Sequence, residues 1–174
     1  MVHRELAEEY PAEQLPIRWA HERGVAQQAA ALGARLGGDG EVLVAAAWLH
    51  DIGYSPELVD TRFHPLDGAR FLRRKGIDER VVRLVAHHTA AMLEAGERGL
   101  AGVLIGEFEL EESPTADLLW YCDLTTGPRG QRLTVVERLA EIKARYGPEH
   151  PVTRFIMRAE PELLAVAERV EGGQ

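Results

Sequence analysis

The stretch "VLVAAAWLHDIGYS", residues 42–55, sets the tightest limit on what this chain can fold into. Val42 to Leu49 carries no polar side chain, so a helix over it has no wet face and has to run through the middle of a core. It then delivers His50 and Asp51 to the place where a charge is most costly. A buried carboxylate without a partner is strongly unfavourable, so the fold must bring something to compensate Asp51.

The surrounding sequence supplies helices to wrap that run. Ala, Leu, Glu and Arg dominate the 174 residues, and alternating strand-like segments are scarce. The one short candidate for extended structure is Gly102 to Leu110, "GVLIGEFEL". Helices are expected over Pro16 to Leu36, closed by Gly37-Gly38, over Glu41 to His50, and over Pro65 to Lys75, stopped by Gly76. Another starts after the N-cap Asp78 and reaches about Thr89, and one follows Ser113-Pro114 to about Asp123. Thr134 to Tyr146 and Val152 to Val170, the latter with a break at Pro161, complete the chain. The expectation is an all-α helical bundle forming a single domain over residues 1–174, with a glycine-rich excursion over 90–113 that reads either as a lid or as a plain long loop.

Charge and cysteine usage narrow the function classes. Twenty basic against 28 acidic residues give a net charge of -8, a poor balance for gripping a nucleic-acid backbone. A small phosphorylated ligand is still compatible, because a bound metal can reverse the local field. The lone Cys122 excludes an internal disulfide and, lying in an apolar run, reads as core. The first fourteen residues show no apolar signal-peptide region, and no apolar run approaches the roughly 20 residues of a membrane span. A cytoplasmic location away from membranes is expected.

The histidines converge once they are placed on these helices. His21 shares a face with Ile17, Val25 and Leu32, and His88 shares one with Val81, Leu84 and Val85, both apolar. His87 falls nearer Arg80 and Arg83. Asp123 closes "ADLLWYCD" one turn after Leu119, and His64 stands just ahead of "PLDGARFL". A lone histidine on an apolar face is more often a satisfied core residue, and a lone Asp at a helix end is more often a cap. Several imidazoles and carboxylates in one interior are harder to explain without a cation, and neutral imidazole with carboxylate is what a first-row divalent metal takes. Metal is therefore the simplest compensation for Asp51.

With these residues in order, His21, then His50-Asp51, then Asp123, the chain resembles the HD-domain metal-dependent phosphohydrolases, and "HDIG" at 50–53 is a common spelling of their central motif. The resemblance covers about residues 15–146. It implies an HD-type helical bundle with His21, His50, Asp51 and Asp123 around one metal. "HPLDGARFL" and "HHT" at 87–89 are similar to the dinuclear branch, which implies His64 and His88 on a second ion, Asp51 between the two, and His87 as the rival of His88. The run from His64 to Thr89 looks most like bacterial dinucleoside tetraphosphate hydrolases, whereas "TTGPRGQRLTVVERLAEIKARYG" is similar to small HD proteins without an assigned substrate.

The chemistry implied is cleavage of a phosphoester or phosphoanhydride in a small phosphorylated molecule, foremost a nucleotide, by water activated on metal at His50 and Asp51. Iron or manganese suits the mixed ligand set best, with Mg, Zn, Co and Ni as further options. Arg129, in "TGPRGQR", is the first candidate to neutralise phosphoryl oxygens, followed by Lys75 and Arg70; each is weighed against being an ordinary surface cation. Glu22 reads as a surface residue, with a supporting role beside His21 as the alternative. Two other functions share this ligand order: a di-iron oxygenase, and a non-catalytic domain that binds nucleotide or metal.

Overall fold

The computed structural model describes residues 2–10 and 16–173. Residue 15, where the resembling segment begins, lies outside them. Ten α-helices run through the described residues: α1 (Val2–Glu9), α2 (Pro16–Gly33), α3 (Asp39–Leu49), α4 (His64–Arg74), α5 (Glu79–Ala86), α6 (Ala91–Glu97), α7 (Ala101–Glu107), α8 (Pro114–Leu124), α9 (Val135–Tyr146) and α10 (Pro151–Gly172). Short 3-10 turns follow α2 at Ala34–Leu36 and α3 at Ile52–Tyr54. No strand forms among the described residues; one isolated antiparallel bridge pairs Thr126 with Arg132.

The all-apolar run becomes α3, and it lies where its composition requires. Leu43, Ala46, Ala47 and Leu49 are fully buried, with α1, α2, α5 and α8 packed around them. Burial of each leucine contributes about 1.5–3 kcal/mol. The α2–α3 crossing needs bare backbone: a Cβ on Gly40 would stand 2.4 Å from the Gly33 carbonyl oxygen. A second apolar cluster joins Tyr121 and Leu124 of α8 to Val135 and Leu139 of α9 and to Phe155, Ile156, Ala159 and Leu163 of α10. The C-terminal helices are thereby fastened to α8, the helix that carries Asp123.

Helix starts are held by side-chain caps, two of which, Asp78 and Ser113, are expected from the sequence. Asp78 accepts from the amides of Arg80 and Val81, Ser113 from that of Ala116, and Thr134 forms a reciprocal capping box with Glu137. Four expectations are corrected. "GVLIGEFEL" is not extended: Leu100, Leu104 and Phe108, spaced by four, point one stripe at the core, and residues 101–107 are helical. The 90–113 excursion is accordingly built from α6 and α7 rather than being a long loop. Pro161 does not break α10, because it sits on the exposed face and the turn that loses a hydrogen bond is the one toward water. Helix α5 stops at Ala86, so His87 and His88 leave it through a turn in which Thr89 and Ala90 adopt positive φ.

Candidate metal centre

Helix α3 ends by placing the His50 ring against its own last turn. The Nδ1–H of His50 donates to the Ala47 carbonyl at 2.8 Å, which leaves Nε2 as a bare lone pair. That Nε2 is buried and has no hydrogen-bond partner among the described residues. His88 repeats the device at the end of α5, its Nδ1–H donating to the Val85 carbonyl at 2.7 Å. His21, in α2, turns Nδ1 toward the Gly127 carbonyl at 3.3 Å. A backbone carbonyl behind each ring fixes the tautomer and aims Nε2 forward, as metal-ligating histidines require.

The aimed atoms meet around Asp51. Its Oδ2 lies 3.5 Å from His50 Nε2, while its Oδ1 lies 3.3 Å from His64 Nε2 and 3.8 Å from His88 Nε2. The Nε2 atoms of His64 and His88 are 3.1 Å apart. Asp123 Oδ1 closes the other side, 3.0 Å from His21 Nε2 and 4.0 Å from His50 Nε2. Two groups thus share Asp51: His21, His50 and Asp51, and then Asp51, His64 and His88, each compact enough to hold a metal ion. Buried imidazole lone pairs facing carboxylates are the donor set a divalent cation fits, and the unpartnered His50 Nε2 is free to coordinate one.

Charge in this cluster is managed by position. Burial works to raise the Asp51 carboxyl, yet Arg18, His50 and His64 beside it hold it well below the usual carboxylate range. Asp123 is likewise kept low against burial, by the His21 and His50 rings beside it. Burial depresses His50, and depresses His64 further against the pull of Asp51. Both histidines therefore stay neutral near pH 7, the form that can coordinate. The guanidinium of Arg18 bonds to Asp51 and lies 3.5 Å over the Tyr54 ring, which stacks on His64 at 3.9 Å.

Comparison with known families agrees with this geometry. The HD domain family matches residues 18–126, which is the segment carrying all of these side chains. The chain belongs to the HD domain family. Over 77 residues it is 38% identical to a tRNA (cytidine(56)-2'-O)-methyltransferase of Thermoplasma volcanium, covering 44% of this chain and 22% of that protein. A protein of the same description from Picrophilus torridus is 34% identical over 70 residues, 40% of this chain and 20% of the relative. The chain thus spans about a fifth of the length of these curated relatives. No solved structure gives a significant match.

Within this HD protein the expected residues divide cleanly. His21, His50, Asp51, His64, His88 and Asp123 come together; His87 does not. The His87 ring turns the other way, its Nε2 2.8 Å from the Phe108 carbonyl, as the chain leaves the end of α5 at this residue. Arg129 is exposed at the tip of the 127–130 turn and does not line the cleft in front of the cluster. The turn is pressed backbone-first onto α2, with Gly130 at positive φ against Ala20, so its tip faces solvent. Arg70 is tied to Glu107 and Asp60, and Lys75 stands by the Tyr10 and Phe71 rings. Glu22 is not on the surface: it is fully buried, its carboxyl pushed well above the usual range by burial and then by Asp51.

The cleft has cations that sequence reasoning overlooked. Arg18, Arg98, Arg138 and Arg145 line it together with His21, Asp51, His64, His88 and Asp123. Arg18 had a signal, standing three residues before His21 on the same helical face. Arg138 and Arg145 are two turns apart on α9 with Ile142 between, a face visible in the sequence but without a partner to give it meaning. Thr89 was also missed; its hydroxyl donates to Asp123, held there by the left-handed backbone at φ 47.

Proposed function

We propose that the protein is a metal-dependent phosphohydrolase that cleaves a phosphoester or phosphoanhydride of a small phosphorylated molecule, with a nucleotide as the first choice. The observation that carries this reading is Asp51, one carboxylate with an oxygen toward each of two histidine groups, in a cleft walled by four arginines. Two ions are proposed, His21, His50, Asp51 and Asp123 holding one and Asp51, His64 and His88 the other, with manganese or iron best suited to the set. When bound, such cations polarise phosphoryl oxygens and lower the pKa of water toward neutrality.

The chain's own residues orient and neutralise. Backbone carbonyls of Ala47 and Val85 lock the His50 and His88 rings, and Thr89 fixes the second oxygen of Asp123. Arg138 and Arg145 offset the charge of phosphoryl oxygens, which a protein of net charge -8 must otherwise repel, while Arg18 and Arg98 are paired with Asp51 and Glu94 of the same cleft. No side-chain nucleophile is needed: Cys122 is fully buried, its thiol pushed up to about 12 by burial. Residues 1–174 are taken as one domain, α9 and α10 packing onto the family segment.

The site supports this reading independently of the methyltransferase name carried by relatives that extend far beyond the shared segment. The test is phosphate release from a panel of nucleotides by protein loaded with Mn(II) or with Fe(II) under anaerobic conditions. Release that depends on metal and disappears in Asp51→Ala is the expected result. Oxygen consumption by the Fe(II) form without phosphate release would replace this reading with the oxygenase one.

A further inference from the structure

The family match ends at residue 126, yet the cleft in front of the cluster is finished by helices that start at residue 135. Arg138, Ile142 and Arg145 come from α9, and Val152, Phe155 and Ile156 from α10. The two arginines share one carboxylate: Glu141 accepts from Arg138 at 2.5 Å and from Arg145 at 2.6 and 2.8 Å. Two guanidiniums on a single carboxylate leave one positive charge without a counterion in the pair, and the Arg138 side chain is only 11% exposed. Glu141 satisfies Arg138, so the surplus charge rests with Arg145, whose side chain is 39% exposed, and the two guanidiniums retain free donors of the kind that phosphate oxygens accept.

Beside the charges lies an apolar seat. Phe155 and Ile156 are buried in the second apolar cluster but still form part of the cleft wall, along with Ile142. The cleft encloses about 250 Å³, and a neighbouring groove of about 280 Å³ shares Arg18, His21, Arg138 and Arg145 with it and adds Pro16, Ile17 and Pro128. Each lies just below the roughly 300–1,000 Å³ usual for ligand pockets, a size that suits one nucleoside body better than two.

We propose that Arg138 and Arg145, held by Glu141, clamp the phosphate of a phosphomonoester of mononucleotide size whose flat apolar body rests on Ile142, Phe155 and Ile156. This deepens the phosphohydrolase reading and rests on it for the reaction, though not for the binding. Substrate choice is then set by α9 and α10, outside the segment shared with the family.

Two measurements separate the two claims. Adenosine 5'-monophosphate binding is followed by calorimetry on chelator-treated protein, where no reaction occurs. Phosphate release with Mn(II) is followed for the same nucleotide, for ribose 5-phosphate and for diadenosine tetraphosphate. In Arg138→Gln/Arg145→Gln the Kd and KM for the monophosphate should each rise roughly tenfold or more and kcat should fall with them, because the clamped phosphate is the one that reacts, while Mn(II) content stays unchanged. Glu141→Gln, which leaves both guanidiniums and removes their neutraliser, should shift the Kd the opposite way; it also decides the matter if the double variant fails to fold. The clamp is overturned if the monophosphate does not bind the wild type, or if neither variant moves its Kd. Ribose 5-phosphate binding as tightly as the nucleotide removes the apolar seat, and a higher kcat/KM for the tetraphosphate removes the monoester class. Binding that depends on the arginines without any phosphate release keeps the clamp and defeats the hydrolase reading.

Discussion

Asp51 shows how much one side chain can be made to carry. Buried in a core it would ordinarily be neutral, but the Arg18 guanidinium bonded to it holds it ionised, so the cluster is charged before any cation arrives. Asp51→Ala should leave purified protein with almost no bound metal, as read by elemental mass spectrometry, because both groups lose their shared oxygen. His88→Ala should lose about one equivalent and His87→Ala none, since only the first ring faces the cluster. His87→Ala should instead cost stability, about 1–3 kcal/mol in urea unfolding, by stranding the Phe108 carbonyl in the core. Asp67 is a quieter example: its buried carboxylate accepts from the amides of Asp60, Thr61 and Arg62 and from the Thr61 hydroxyl, fixing the loop that leads to His64. Asp67→Ala leaves all four donors without their acceptor, and the expected loss is about 1–3 kcal/mol together with weaker retention of the second equivalent of metal.

At the scale of elements, the glycine of "HDIG" joins the two halves of the site. A Cβ on Gly53 would stand 2.1 Å from the His64 carbonyl oxygen and 2.7 Å from the Gly68 amide nitrogen, so α4 can lie this close to the turn after α3 only over bare backbone. Both contacts are with main chain, which cannot rotate away as a side chain can. Gly53→Ala should therefore cost about 1–3 kcal/mol or more and shift His64 away from Asp51. Reduced urea stability with metal content falling toward one equivalent is the expected outcome; unchanged values in both would show that α4 has room to move. A comparable tie holds the opposite end of α3, where Arg80 of α5 bonds to Asp39 and Glu111 at once.

For the whole molecule, protonation should act in two separate windows. His50 and His64 are depressed below their usual value of 6.5 by burial. The unfolded chain binds protons that the folded one refuses, so their contribution is complete above about pH 6.5 and lost as pH falls below it. Glu107 is held low by its bond from Arg70, and Glu141 is held low against burial by Arg145 and Arg138, from a usual value of 4.5. Their contribution is complete above that value and lost only as pH drops through the lower folded values. Thermal unfolding of chelator-treated protein should thus weaken in one stage below about pH 6.5 and in another below about pH 4.5. Mn(II) should steepen the upper stage, because protons and metal compete for the same Nε2 atoms. No helix among the described residues is long and apolar enough to cross a membrane.

The helical plan and the cluster were legible because they depend on local rules. An all-apolar run must be buried, Asp78 and Ser113 mark helix starts, and His21, His50 and Asp123 lie at positions whose face or helix end can be read from spacing, whereas His64 and His88 as a second ligand group came from the HD-domain resemblance. Misreadings came where tertiary contact decides. Residues 101–107 are helical because Leu104 and Phe108 find the core, and α10 runs through Pro161 because that turn faces water. Glu22 is buried only because α2 is covered on that side, and Arg129 points outward because its turn is pressed onto α2. The arginines of α9 reach the cleft through a packing of α9 and α10 on α8 that no local pattern encodes. Periodicity along the chain says which residues share a face; which faces then meet is settled by packing between segments distant in sequence.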